Sequence, residues 1–162
     1  MNGNTSSLKR KIMMMLANNT DIFELIDNTT IDKDTPDDLI YVNIFPYLKV
    51  DYTVQEAGTY IGVKLEYPNL DTNEIYKDTQ LTFLTVSANR HLKSDGGYAR
   101  TDLISEKFLE IFNWNSFLGF KIKLVSDTED PVDENFYYRK LIFKSVSPNS
   151  MRNGDKINDW RT

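Results

Sequence analysis

Hydrophobic residues recur along the chain in two periods, and their spacing predicts the order of helices and strands. From residue 7 the apolar positions repeat every three or four residues on one face of a helix: Leu8, Ile12, Met15 and Leu16. Thr20 and Asp21 are residue types that cap helices, and they predict a short second helix over residues 20–26. A third helix is predicted over 101–112, with a buried stripe formed by Ile104, Phe108, Ile111 and Phe112.

Segments rich in β-branched and aromatic residues predict five strands. They cover residues 39–48, 59–67, 79–88, 117–125 and 136–146. Pro46 indicates that the first strand lies at a sheet edge or contains a bulge. Residues 79–88 are apolar on both faces, which predicts a central strand. The polar segment 127–135 is predicted to be the turn of a hairpin between the last two strands.

The predicted order is α-β-β-β-α-β-β, with the first two helices counted as one helical region. This order indicates an α+β fold in which helices flank a single mixed, mostly antiparallel sheet of about five strands. The length of 162 residues suits one such domain. We assign the domain to residues 1–148 and a C-terminal tail to residues 149–162.

The composition argues against several kinds of chemistry. The chain has no cysteine, so disulfides, thiolate nucleophiles and cysteine metal sites are excluded. With a single histidine, a zinc site is implausible, and the acidic segments depart from the calcium-loop pattern. The net charge of −5 argues against a sequence-independent grip on nucleic-acid phosphates. We therefore expect no metal and no cofactor. No apolar run approaches the length of a membrane span, so we expect no membrane contact.

The most informative segment is the polar stretch over residues 89–104, between the third strand and the third helix. It holds the only histidine and the only Gly-Gly pair, and small domains often carry function on such loops. His91, Ser94 and Asp95 are the residue types of a hydrolase triad, but a triad needs them on separate rigid elements. Gly96-Gly97 belongs to no phosphate-binding motif. We predict no catalytic site and no enzymatic activity.

Two other classes of function remain open from the residues alone. The 24 acidic residues could include the metal-binding carboxylates of a small metal-dependent nuclease, although the sequence does not single out a pair. The nine tyrosines are concentrated in the strands. They could pack across the sheet, or they could form the surface of a module that binds a peptide or protein partner.

The element order and residues 97–112, which read GYARTDLISEKFLEIF, resemble the tail terminator (tail completion) proteins of long-tailed bacteriophages. The resemblance covers residues 7–146. It implies a structural virion protein of the neck that forms a homohexameric ring at the head-proximal end of the tail. Such a ring ends tail-tube growth and joins the tail to the head. Another neck or baseplate subunit is the nearest alternative.

The same resemblance implies the partners and the location of the chain. The partners are other copies of the chain, the tail-tube protein and a head-completion or connector protein. DNA passes through the lumen of the ring without sequence-specific binding. The protein is assembled in the cytoplasm of the bacterial host and ends in the tail neck of the virion.

The resemblance also implies an assembly loop over residues 90–100, which projects toward neighbouring subunits or the tail tube. Its candidate contact residues are Arg90, His91, Lys93, Asp95, Gly96, Gly97, Tyr98 and Arg100. The tail over 149–162 extends past the last strand and is a candidate arm to an adjacent subunit or ring. Trp160 is its candidate contact residue.

Overall fold

The computed structural model describes residues 5–48, 57–68, 76–116 and 121–148. The helices are α1 (Thr5–Ala17), α2 (Thr20–Ile26) and α3 (Arg100–Phe112). The strands are β1 (Ile44–Phe45), β2 (Thr59–Glu66), β3 (Tyr76–Ala88), β4 (Lys123–Pro131) and β5 (Phe136–Pro148). Two short 3₁₀ helices lie at Pro36–Leu39 and Asn89–His91. No helix in these ranges is both long and apolar enough to cross a membrane.

The five strands form one sheet in the order β1-β2-β3-β5-β4. β1 pairs with β2 in parallel, and all other pairs are antiparallel. The prediction of a mixed, mostly antiparallel sheet in an α+β fold is thus confirmed. β3 is the central strand, as its two apolar faces indicated, and β1 lies at an edge, as Pro46 indicated.

The hydrophobic core lies between the helices and one face of the sheet. Val63, Phe83 and Leu141 are aligned across β2, β3 and β5 by the strand register, and all three are buried. Phe108 and Phe112 of α3 pack on Phe83, with ring centroids 4.4 and 4.8 Å apart. Aromatic pairs of this kind add about 0.5–1.5 kcal/mol to the gain from burial. The prediction over 101–112 therefore identified the helix, which begins one residue earlier, and three residues of its buried stripe, whereas Ile111 is only partly buried.

The N-terminus of α2 differs in detail from the prediction. Asn19, and not Thr20, is the capping residue, because its side-chain oxygen accepts a hydrogen bond from the Ile22 amide at 3.1 Å. Thr20 is already the first residue of the helix. An amide side chain satisfies a free N–H of the first turn as well as a hydroxyl does.

The predicted strand over 39–48 is mostly wrong, because only Ile44 and Phe45 pair with β2. The preceding residues form a tight turn in which the Tyr41 amide donates to the Ile44 carbonyl at 2.8 Å. Buried Asn43 holds this turn on the sheet by donating to the Thr59 carbonyl at 3.0 Å. The aromatic and β-branched composition predicted a strand, but the side-chain hydrogen bonds of Asn43 favour a turn.

The hairpin of β4 and β5 is confirmed, but its turn is shorter than the predicted 127–135. Residues 127–131 belong to β4, so those five positions were assigned wrongly. The turn closes because Asp133 accepts hydrogen bonds from the amides of Asn135 and Phe136. The first residues of the predicted strand, 117–120, and the tail over 149–162 with Trp160 lie outside the described residues.

Candidate functional site

The loop between β3 and α3 is a closed turn with its own hydrogen bonds. Both the amide and the hydroxyl of Ser94 donate to the Tyr98 carbonyl at 2.8 Å. The Gly97 amide donates to the Ser94 carbonyl at 2.9 Å. Gly97 has a φ of 86°, a conformation that glycine adopts without strain. The backbone of the loop is thus held in one shape.

The predicted assembly residues divide into two groups. One group is exposed on the outer side of the loop and consists of Arg90, Lys93, Asp95, Gly96, Gly97 and Tyr98. The other consists of His91 and Arg100, whose side chains are 20% and 9% exposed and point into the protein. The structure therefore does not bring all eight residues to one surface.

Arg100 joins three segments of the chain. Its guanidinium donates to the His91 carbonyl at 3.0 Å, to the Leu25 carbonyl at 3.1 Å and to the Asp27 carboxylate at 3.1 Å. Leu25 lies in the last turn of α2, where free carbonyls and the helix dipole favour a cation. Arg100 itself begins α3. One side chain therefore fixes the end of α2, the loop and the start of α3 relative to one another.

His91 lies between a carboxylate and two hydroxyls. Its Nε2 atom is 3.5 Å from the Asp27 carboxylate, and its Nδ1 atom is 3.1 Å from the Thr59 hydroxyl. The Thr59 hydroxyl is in turn 3.0 Å from that of Ser87. This order of groups is similar to an Asp-His-Ser/Thr triad, which requires an accessible nucleophile. Thr59 and Ser87 are fully buried, so a substrate does not reach them. The network connects β2 and β3 to the loop.

The triad types noted in the sequence are not assembled. The Ser94 hydroxyl donates to the Tyr98 carbonyl, within its own turn, and Asp95 is exposed. Across the described ranges, no group of three or more His, Asp or Glu side chains is placed to hold a metal ion.

A cleft of about 460 Å³ lies beside the loop, between α2 and α3. Its polar lining is mainly acidic and includes Asp21, Glu24, Asp95 and Glu106. Lys107 lies on this surface and contacts Glu110 and Asp21, each at 3.0 Å. The hydrogen bond to Glu110, followed by that to Asp21, raises the pKa of Lys107. The exposed Tyr98 lines the same cleft. The outer side of the loop thus continues into an acidic surface.

A second polar cluster joins the hairpin to α3. Arg139 on β5 binds the Asp127 carboxylate through two nitrogens, at 2.9 and 2.8 Å, and Asp102 at 2.8 Å. Beside it, burial and a hydrogen bond with Glu129 raise the pKa of Tyr137 to about 12. This cluster was not predicted from the sequence. The available signal was Arg139, the only arginine of the hairpin, opposite the acidic residues Asp127 and Glu129.

The YomW family model matches residues 15–145, which is more than half of the chain. The chain belongs to the YomW family. The matched range contains the loop, the Arg100 network and the Arg139 cluster. No curated protein sequence matches the chain.

The match to the YomW family runs from the last turn of α1 into β5 and includes every contact of Arg100 and Arg139 described above. The charged groups of the Arg100 network and of the Arg139 cluster form ion pairs with one another inside the same chain. Within the described part of the chain, exposed surfaces include the outer side of the loop, the acidic cleft and the two edges of the sheet.

Proposed function

We propose that this chain is a phage tail terminator, a structural protein whose copies form a ring at the head-proximal end of the tail. The observation that carries the proposal is the fold. A helical region, three strands, a helix and a hairpin follow one another over a single sheet, and an exposed turn directly precedes the helix. This is the order that the resemblance to tail terminators implied. The name of the YomW family, which resembles that of a phage-region gene product, supports a phage origin.

The chemistry of the described residues favours assembly over catalysis. The Thr59 and Ser87 hydroxyls next to His91 are buried, and the Arg100 and Arg139 clusters join elements of the same chain. A net charge of −5 suits the wall of a DNA conduit, because like charge repels phosphates and lets DNA pass. In the proposal, the partners are neighbouring copies, the tail-tube protein and a head-completion or connector protein.

The exposed side of the loop is the proposed contact with a neighbouring copy or the tail tube. Tyr98 is 68% exposed on a turn of fixed shape, and Lys93 and Asp95 stand beside it. Tyrosine on a rigid turn loses little entropy on binding. Replacing Tyr98 with serine should leave folding unchanged and reduce the fraction of chain found in rings. If the fraction of chain found in rings does not change, the loop only connects β3 to α3 and is not an assembly contact.

The proposal is tested by the mass of the purified protein in multi-angle light scattering, alone and with tail tubes. We expect a ring of about six copies, either in solution or on the tubes. The same samples are incubated with DNA and a divalent cation. A stable monomer that does not bind tail tubes and that cleaves DNA would contradict the proposal and favour a small metal-dependent nuclease.

A further inference from the structure

Three lysines of the β4–β5 hairpin lie on the face of the sheet that points away from the helices. Lys140 and Lys144 alternate along β5 with Leu141 and Phe143, which are buried in the core. Their side chains therefore point to the opposite face. The strand register places Lys123 of β4 directly opposite Lys144. Lys123 and Lys144 are exposed, and Lys140 is half-buried. We call these three residues the lysine face.

The lysine face carries positive charge that its neighbours do not neutralise. Like charges directly opposite on adjacent strands destabilise a sheet, and Lys123 and Lys144 stand in that relation. No carboxylate in the described ranges forms an ion pair with Lys140 or Lys144. The Lys123 ammonium lies 6.0 Å from the Trp114 ring, a contact that leaves its charge in place. Asp130 of β4 lies on the same face, so the net charge of these groups is still positive.

The acidic cleft between α2 and α3 carries the opposite charge. Two acidic residues of its lining, Asp21 and Glu24, are paired with lysines of the same chain. Asp95 and Glu106 also line the cleft, and they form no ion pair with any residue that the structure describes. Both are exposed, and the exposed ring of Tyr98 lies beside them. Carboxylates attract a lysine ammonium, and an aromatic ring packs on its methylene stem.

The cations near the cleft do not cancel its negative charge. Arg100 is paired inside the protein, and Lys107 is shared between the carboxylates of Asp21 and Glu110. Lys93 is on the outer side of the loop and is not among the residues that line the cleft. The helix side of the domain thus presents acidic groups and a rigidly held tyrosine, whereas the other face of the sheet presents lysines.

We infer that the lysine face of one copy docks on the acidic cleft of the next, where Tyr98 and the free carboxylates receive the lysines. The inference rests on the proposed function for its occupant, a second copy of the chain. The two surfaces are on opposite sides of the sheet, so each copy binds two neighbours through different surfaces. Such a heterologous contact produces a ring if the rotation closes. Nucleic acid suits the lysine face less well, because few lysines contribute few phosphate contacts and the chain as a whole is acidic.

An exchange of charges tests this contact. One protein carries Lys140→Glu and Lys144→Glu, and a second carries Asp95→Lys and Glu106→Lys. In each protein alone, like charges meet at every contact, so the concentration needed for rings should rise at least about 10-fold. An equimolar mixture should recover rings in which the two proteins alternate, because each reversed surface then meets its complement. Multi-angle light scattering measures the rings, and native mass spectrometry measures their composition.

The matched control carries Asp34→Lys and Asp38→Lys, two exposed positions outside both surfaces. It changes the net charge as much as the cleft variant does. The control should form rings like the original chain, and it should not restore rings to the Lys140/Lys144 variant. Lys144→Glu places a carboxylate opposite Lys123, which favours the fold. Urea denaturation should therefore show that every protein is folded.

The possible failures separate this inference from the proposed function. If both reversed proteins form rings as the original chain does, or if the mixture recovers none, the inference is wrong and the proposed function stands. Normal rings of the Lys140/Lys144 variant that retain less DNA would show that the lysine face contacts phosphates, which also overturns the inference. An original chain that forms no rings, alone or on tail tubes, would refute both.

Discussion

Three hydrogen bonds from the Arg100 guanidinium end on groups from two other parts of the chain: the Leu25 carbonyl, the Asp27 carboxylate and the His91 carbonyl. The Arg100 side chain is 9% exposed and that of Asp27 is 47% exposed, so water screens the ion pair from the Asp27 side. Loss of Arg100 would also remove the donor of two part-buried hydrogen bonds to the Leu25 and His91 carbonyls, and a shielded acceptor without a donor is costly.

Replacing Arg100 with methionine should lower the free energy of unfolding by about 2–4 kcal/mol. The range lies below that for a fully buried ion pair because Asp27 keeps contact with solvent. Lys93→Met, in the exposed part of the same loop, is the matched control and should change stability by less than about 0.5 kcal/mol. Urea denaturation measures both. Equal effects would show that Arg100 does not join the helices.

Tyr137 gives the chain a specific response to alkaline pH. Burial and the hydrogen bond to Glu129 raise its pKa from about 10 to about 12, so the folded protein keeps a proton that the unfolded chain loses. Stability should therefore fall as the pH rises from about 10 toward 12. The Tyr137→Phe protein has no phenol to titrate, so its stability should fall less between about pH 10 and 12. The urea midpoints of the two proteins across this pH range measure the difference. Parallel curves for the two proteins would contradict the assigned shift.

At the scale of elements, the turn before α3 depends on one of two adjacent glycines. Gly97 has a φ of 86°, whereas Gly96 does not have a positive φ. A Cβ added at Gly96 would make an ordinary contact with the Tyr98 ring at 3.6 Å. Gly97→Ala should destabilise the protein by about 1–2 kcal/mol through backbone strain alone, and Gly96→Ala by much less. Thermal or urea unfolding of the pair measures this. An equal loss of stability in the two variants would mean that the positive φ of Gly97 does not determine the turn.

The elements that the sequence predicted well are those with long, regular periodicity. The stripe of Ile104, Phe108 and Phe112 marks α3 because each of these residues packs on the sheet. The segment around β1 was mistaken for a longer strand, because its aromatic residues lie in a turn that Asn43 holds by side-chain hydrogen bonds. β4 begins at Lys123, so residues 121–122 were assigned to it wrongly. It also extends past the predicted end at 125, because the polar residues 127–130 are exposed and Asp127 contacts Arg139, so they lack the apolar pattern of a core strand.

The loop was located correctly, but the roles of its residues could not be separated from the sequence. His91 and Arg100 have the same polar character as Lys93, yet they point inward because Asp27 offers them a carboxylate. Asp27 is 73 positions from Arg100, and no local pattern predicts such a pairing. The buried His91 network and the Arg139 cluster depend on the same kind of distant contact.

At the scale of the whole molecule, the sheet has helices on one face and different chemistry at its two edges. One edge carries the exposed Tyr41 and Tyr47 beside a cleft lined by Lys9 and Arg10, and the other carries the exposed Trp114, with Lys123 6.0 Å from its ring. Two unlike edges are compatible with the heterologous contacts of a closed ring. In the proposed function, the fold is a unit of assembly, in which the polar clusters maintain the shape and the exposed side of the loop contacts a neighbouring copy or the tail tube.

The most direct test of this account is the length distribution of tail tubes assembled from the cognate tube protein, measured by negative-stain electron microscopy. With the chain present, we predict that tubes carry a ring at one end and that their elongation stops. With the Tyr98→Ser variant, the rings should be fewer and the tubes longer. Tubes that elongate equally with and without the chain, and carry no ring, would contradict the account.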